Sequence, residues 1–214
     1  MNKKYSYIGI SFIILLFGIY VVPKVVARLK KTNLETFQKV PNFEFINQYG
    51  KRITNKDLEG KVYVVEFFFT TCPSICPLMN EEMLKIQKAF YGNPEFGIIS
   101  ISITPEIDTP NILVAYTKKN QITHKNWHLL TGRSQEYVFN LAKEGFKLYA
   151  GKGGNDGSGF EHSGLFALID KKGYIRSRKD KQGNPILYYR ALEESGFPNQ
   201  INELKEDIKI LLDE

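Results

Sequence analysis

The chain has 214 residues, 43% of them hydrophobic and 24% charged, with 17 Gly, 9 Pro and 2 Cys. Those proportions describe a globular protein and exclude collagen-like, disordered and disulfide-scaffold chains, and the length suits one domain with a real core. The +6 net charge belongs to the amino terminus: six basic residues and no acidic one fall in residues 1–31, and the other 23 basic residues match the 23 acidic ones. A formally neutral body has no excess charge to set against phosphates, so no nucleic-acid partner is expected.

Tyr7 to Val22 is a run of sixteen residues without a charge, preceded by Lys3 and Lys4. A bilayer needs ~20 mostly apolar residues, with a lower limit near ~17, so this is a short candidate span. The flank Pro23-Lys24-Val25-Val26-Ala27-Arg28 offers only a weak small-residue cleavage site, and no Cys follows the run to carry a lipid. We therefore expect an uncleaved signal anchor rather than a cleaved signal peptide. The expected organisation is a cytoplasmic stub at 1–6, a transmembrane helix at 7–22, a tether at 23–40 and one folded domain at 41–214. Basic residues after the run favour a cytoplasmic domain by charge alone, a rule that is weak for a long following domain.

Phe43-Glu44-Phe45-Ile46, the turn Asn47-Gln48-Tyr49-Gly50 and Lys51-Arg52-Ile53-Thr54 read as a hairpin. Val62 to Phe69 and Phe96 to Ile103 are apolar runs rich in β-branched and aromatic residues, the pattern of strands buried on both faces. Between them, Leu78, Met83, Leu84, Ile86 and Phe90 predict a helix to about Phe90. Asp108-Thr109-Pro110 predicts a helix start, with Pro in the first turn. A short strand is expected at Trp127 to Leu130, a helix at Gln135 to Lys143 and extended chain at Phe146 to Tyr149. Gly151 to Gly159 reads as a mobile loop rather than a phosphate cradle, since it lacks a strand–glycine–helix context and a Lys-Ser/Thr pair. Leu165 to Ile169, the turn Asp170-Lys171-Lys172-Gly173 and Tyr174 to Ser177 form a closing hairpin. Ile201, Leu204, Ile208 and Leu211 space a terminal amphipathic helix. Strands alternating with helices, then a hairpin, predict an α/β fold with a mixed sheet and helices on both faces.

Both cysteines lie in Cys72-Pro73-Ser74-Ile75-Cys76, at the exit of the first buried strand. If a helix begins there, residues four apart share a face, so the sulfurs converge on a metal ion or close a disulfide. Helix N-terminal amides favour the thiolate. His124 and His128 flank Trp127 and read as structural, Met79 as core packing, and Phe67-Phe68-Phe69 as strand core.

The body resembles the SCO/SenC family (synthesis of cytochrome oxidase), copper-binding proteins on a thioredoxin-like fold. The likeness rests on Phe67-Phe68-Phe69-Thr70-Thr71-Cys72-Pro73-Ser74-Ile75-Cys76-Pro77 and on Ser100 to Pro110, Leu129-Leu130-Thr131-Gly132 and Glu161 to Asp170. It spans roughly Pro41 to Ile175. The resemblance implies copper ligands at Cys72, Cys76 and His162, and a Cys72–Cys76 disulfide in the oxidised form. Ser74 and Thr104 stand where the family often has Asp, removing nearby negative charge. Two thiolates and an imidazole suit Cu(I), and with a fourth ligand Cu(II).

The resemblance further implies a membrane-anchored copper chaperone for the copper A site of cytochrome c oxidase subunit II, its domain on the periplasmic or another extracytoplasmic side. The alternative is a thiol–disulfide oxidoreductase that reduces the cysteines of a copper-site partner. Thioredoxin-like oxidoreductases normally carry C-x-x-C and a proline just ahead of the strand that is here Leu165–Ile169. This chain has Gly164 there, and no Pro from Val138 to Asn184. A peroxidase resembling peroxiredoxins would need an Arg beside its reactive Cys, and none stands at a recognisable place.

Overall fold

The computed structural model describes residues 6–29, 33–153, 159–193 and 196–214. The chain divides into two units, Met1–Asn33 and Leu34–Glu214. The first contains helix α1 (Ser6–Leu29), on which Phe12, Ile13, Phe17 and Tyr20 are exposed. The expected transmembrane segment at 7–22 is not found as such: among the described residues no helix is long and apolar enough to cross a membrane. Its sixteen uncharged residues fall short of the ~17–20 that a hydrocarbon core requires.

The second unit is built on a nine-stranded mixed sheet. At its centre, β4 (Val62–Phe68) and β5 (Phe96–Ser102) are buried at every position and run parallel in unbroken register from Val62↔Phe96 to Phe68↔Ser102. Strand β6 (Trp127–Thr131) lies parallel to β5, while β9 (Leu165–Ile169) lies antiparallel on the other side of β4. Parallel strands need long crossovers, supplied by α3 (Ile75–Ala89) between β4 and β5 and by α4 (Pro110–Lys119) between β5 and β6. The hairpin of β2 (Glu44–Asn47) and β3 (Arg52–Thr54) extends the sheet beyond β6, followed by the single turn α2 (Asn55–Leu58).

Residues 35–39, within the stretch read as tether, form β1 (Glu35–Lys39), an edge strand paired with β10 (Tyr174–Ser177). Glu35, Thr36, Gln38 and Lys39 give it a polar character common in edge strands, while Leu34 and Val40 at its ends are buried. The helix expected at 135–143 changes type within those bounds and runs past them. Helix α5 (Gln135–Asn140) passes into a π-helical turn, Leu141–Phe146, and Lys147 closes it at φ +53°. Gly145 permits this turn to press on the start of the domain, because a Cβ there would lie 2.8 Å from Pro41 Cγ. Extended chain resumes at β7 (Ala150–Lys152) rather than at Phe146.

Alternation along β4 sorts the helices by face. Phe68 packs on Tyr116 of α4, ring centroids 5.4 Å apart, whereas Phe67 meets Phe146 of the π turn at 5.6 Å. Helix α3 joins α4 through Asn80 and Gln87, whose amides donate to the Asn120 and Gln121 carbonyls. The terminal helix α6 (Ile201–Leu212) packs against α3 and β4, with Ile201, Leu204, Ile208 and Leu211 buried. Helices thus cover both faces, and the carboxyl end of β4 feeds the first turn of α3.

Candidate metal centre

Phe69 to Cys72 forms a tight turn between β4 and α3, closed by the Cys72 amide donating to the Phe69 carbonyl at 3.2 Å. Ser74 is the N-cap of α3, which places Cys76 in its first turn. Four residues separate the cysteines, so the helix brings them together: the Cys76 amide donates to Cys72 Sγ at 3.4 Å. Neither Cys72 nor Cys76 is in a disulfide.

His162 arrives from a separate two-stranded sheet. It ends β8 (Phe160–His162), which pairs antiparallel with β7 so that His162 faces Ala150 in register. The glycine-rich stretch is therefore a hairpin at its base, where the Gly153 amide donates to the Gly159 carbonyl at 3.0 Å. The rest of the expected loop, residues 154–158, lies outside the described residues. His162 Nε2 sits 2.9 Å from Cys76 Sγ, and Nδ1 lies 3.3 Å from the Ser163 carbonyl. The rings of Phe69 and His162 meet edge to face at 84°, with centroids 5.8 Å apart.

The three donor atoms of Cys72, Cys76 and His162 all lie within 4.8 Å of one another, and all three residues are buried. Two sulfurs and one nitrogen are a soft donor set suited to copper or zinc, short of the four ligands of a closed structural zinc site. The sulfurs are not equivalent. A hydrogen bond from Cys76 pulls the Cys72 thiol down to about 3, against burial and with a further contribution from His162. The same contact holds the Cys76 thiol far above its usual range, reinforced by burial. Without a metal the site thus carries one thiolate and one thiol, and binding a metal through both sulfurs must release the Cys76 proton.

Two acidic residues near the site were not singled out from the sequence. Glu66, the one ionisable group of the 62–69 run apart from the Tyr63 phenol, is buried in β4 and accepts from Ser100 Oγ at 2.7 Å, while Trp127 Nε1 donates to the same hydroxyl at 2.9 Å. Burial raises its carboxyl to about 7, partly opposed by the Ser100 hydrogen bond and the charge of His162. Asp108, fully buried ahead of α4, accepts from Ser102 Oγ at 2.6 Å, Thr104 Oγ1 at 3.1 Å, the Thr70 amide at 3.2 Å and Thr70 Oγ1. A charged residue within an apolar run was the available signal for Glu66.

The other histidines are structural. His124 Nε2 is 3.1 Å from the Phe90 carbonyl, and its Nδ1 accepts from the Asn126 amide. His128 Nδ1 lies 3.3 Å from Asn47 Nδ2. Met79 is buried in α3, as expected of a core residue. Within 178–198, a stretch for which the sequence offers no functional account, β11 (Tyr189–Arg190) pairs with β9, and the Ala191 amide donates to the Gly164 carbonyl at 2.9 Å, two residues past His162.

The SCO1/SenC family model matches residues 31–195. The chain belongs to the SCO1/SenC family. A SCO1 protein homolog of Bacillus subtilis is 31% identical over 168 residues, covering 78% of this chain and 81% of that protein. The crystal structure of a SCO1/SenC family lipoprotein from Bacillus anthracis superposes with a TM-score of 0.70 at 30% identity, covering 83% of this chain and 97% of the other. A copper-bound ScoI structure from Bradyrhizobium japonicum shares the fold, with a TM-score of 0.61 at 24% identity over 82% of this chain and all of that one. The mixed sheet with helices on both faces is therefore the thioredoxin-like fold of Sco proteins.

Proposed function

We propose that this SCO/SenC protein carries copper between the Cys72 and Cys76 thiolates and the His162 imidazole, and delivers it during assembly of cytochrome c oxidase. The observation that carries the reading is the convergence of these three buried donors, from the 69–72 turn, α3 and β8, within 4.8 Å of one another. Two thiolates and an imidazole satisfy Cu(I), and a fourth donor from solvent or a partner completes a Cu(II) site. Support comes from the Bradyrhizobium relative, solved with copper bound, and from another relative, BsSco, described as a member of the Sco family of cytochrome c oxidase assembly proteins with a disulfide switch.

The recipient we infer is the copper A site of subunit II, reached by ligand exchange in which recipient donors replace His162 and the two sulfurs in turn. A Cys72–Cys76 disulfide offers no thiolate, so carriage requires the reduced dithiol. Segment 7–22 serves as the membrane attachment in this reading, the residues from 23 to 33 as the connection and Leu34–Glu214 as the carrier domain on the extracytoplasmic side, where disulfides persist.

The second reading is reduction of a client disulfide. Free cysteines held as one thiolate and one thiol favour it, since that pair is primed for attack. There the Cys72 thiolate attacks the client disulfide and Cys76 closes the ring. Two electrons pass to the client, leaving its dithiol and a Cys72–Cys76 disulfide. Incubating copper-loaded full chain with a soluble, metal-free copper A domain separates the two readings. Carriage predicts copper in the recipient with Cys72 and Cys76 still reduced. Copper lost to solvent, with the recipient's oxidised cysteines reduced and a Cys72–Cys76 disulfide formed, would replace carriage with reduction.

A further inference from the structure

One turn links all three donors. Residues 69–72 end in Cys72, begin in Phe69, whose ring packs against His162, and lead into the helical turn that presents Cys76. Neither flank fixes such a turn by itself, because β4 ends at Phe68 and α3 begins only at Ile75. What fixes it comes from below: Thr70, at its second position, gives both its amide and its hydroxyl to the Asp108 carboxylate. Asp108 is itself immobilised by Ser102 Oγ, at the end of β5, and by Thr104 Oγ1. The Ser102 hydroxyl also accepts from the Thr104 amide at 3.1 Å, closing the network. A buried carboxylate is costly unless hydrogen-bonded, and here three hydroxyls and an amide satisfy it.

We propose that Asp108 is a positioning residue for the metal centre, bolting the 69–72 turn through Thr70 so that Cys72 Sγ is held opposite Cys76 and His162 before copper arrives. The inference deepens the copper reading and rests on it for its ligand. Its physical content is pre-organisation: donors already in place lose less freedom when the ion binds, so removing the bolt weakens binding without touching a ligand. Thr70→Val keeps the shape of the side chain and removes the hydroxyl donor, Thr70→Ser keeps the donor, and Asp108→Asn keeps the size and removes the charge.

The test is Cu(I) affinity of the reduced full chain, measured anaerobically by competition with a bicinchoninate chelator, beside thermal unfolding of the metal-free forms. Thr70→Val and Asp108→Asn should each hold Cu(I) at least tenfold more weakly, with Thr70→Ser at the wild-type value. A folded Thr70→Val with wild-type affinity and only a lowered unfolding temperature would reduce the bolt to a fold-stabilising contact and overturn the proposal. If one variant fails to fold, the other decides by the same criterion.

A copper-free readout keeps the two claims apart. At equilibrium with glutathione disulfide, the protein dithiol forms its Cys72–Cys76 bond as the glutathione S–S bond breaks, and two protons and two electrons pass to two glutathione thiols. The equilibrium constant measures how closely the sulfurs are held. The bolt predicts at least a fivefold fall in Thr70→Val, restored in Thr70→Ser; equal constants in all forms would overturn it. Wild type that binds no copper, with this fall still seen in Thr70→Val, would sink the copper reading and leave the bolt standing.

Discussion

Cys76 Sγ and His162 Nε2 lie 2.9 Å apart although 86 residues separate them in the chain. The contact joins the first turn of α3 to the end of β8, and the Phe69 ring packs edge to face with the imidazole. A metal that displaces the Cys76 proton finds the nitrogen already in place. The ligands should therefore contribute unequally. Cys72→Ser and Cys76→Ser each remove a soft donor and should lower Cu(I) affinity at least a hundredfold. His162→Ala should cost about tenfold, because two thiolates still hold the ion. Chelator competition checks the order, and a His162→Ala loss as large as either cysteine loss would contradict it.

The unequal sulfurs predict selective alkylation. With its thiol pulled down to about 3, Cys72 is a thiolate at pH 6, while Cys76 keeps its proton. Iodoacetamide at that pH should modify Cys72 at least tenfold faster than Cys76, read by peptide mass mapping of the reduced, metal-free chain. Equal rates would contradict the assignment.

The two central strands, the cysteine spacing and the terminal helix could be read because each has a local pattern: an unbroken apolar run, a four-residue interval, an i, i+3, i+7 repeat. His162 carried no such pattern and was reached through a family likeness. Its approach to Cys76 depends on β7 and β8 pairing, which no local rule specifies. Strand β1 escaped because an edge strand resembles a polar tether, and the π turn because Leu141 to Phe146 continues a helical pattern that Lys147 then ends. Asp108 reads as part of a helix start, and only the folded chain shows its carboxylate turned toward Thr70.

Glu66 makes stability depend on pH in a direction opposite to that of a salt-bridged acid. Burial raises its carboxyl from 4.5 to about 7, so between those values the folded state binds more protons than the unfolded state. Stability should then fall as pH rises through that window, by roughly 3 kcal/mol in all, and level off above it. Glu66→Gln removes the charge that must be buried and should flatten this component. Urea titrations of metal-free wild type and variant at pH 5 and pH 7.5 check the sign; an unchanged difference between the two pH values in the variant would contradict it.

Arg178 and Asp207 tie the closing strands to α6. Arg178 Nε and Nη2 both reach the carboxylate at 2.8 Å, Tyr189 donates its phenol to it at 2.6 Å, and the Asp207 side chain is fully buried. Arg178→Met strands a buried charge and should cost about 3–5 kcal/mol, whereas adding Asp207→Leu should recover most of the loss. Chemical denaturation of the single and double variants measures both, and a double variant no more stable than the single would contradict the account.

The central claim is one copper site made by Cys72, Cys76 and His162. Its most direct test is copper stoichiometry, by elemental analysis after gel filtration, on the reduced full chain and on the variant combining Cys72→Ser, Cys76→Ser and His162→Ala. The account predicts one equivalent retained by the wild-type chain and none by the variant. Equal copper in the two would place the metal elsewhere and contradict it.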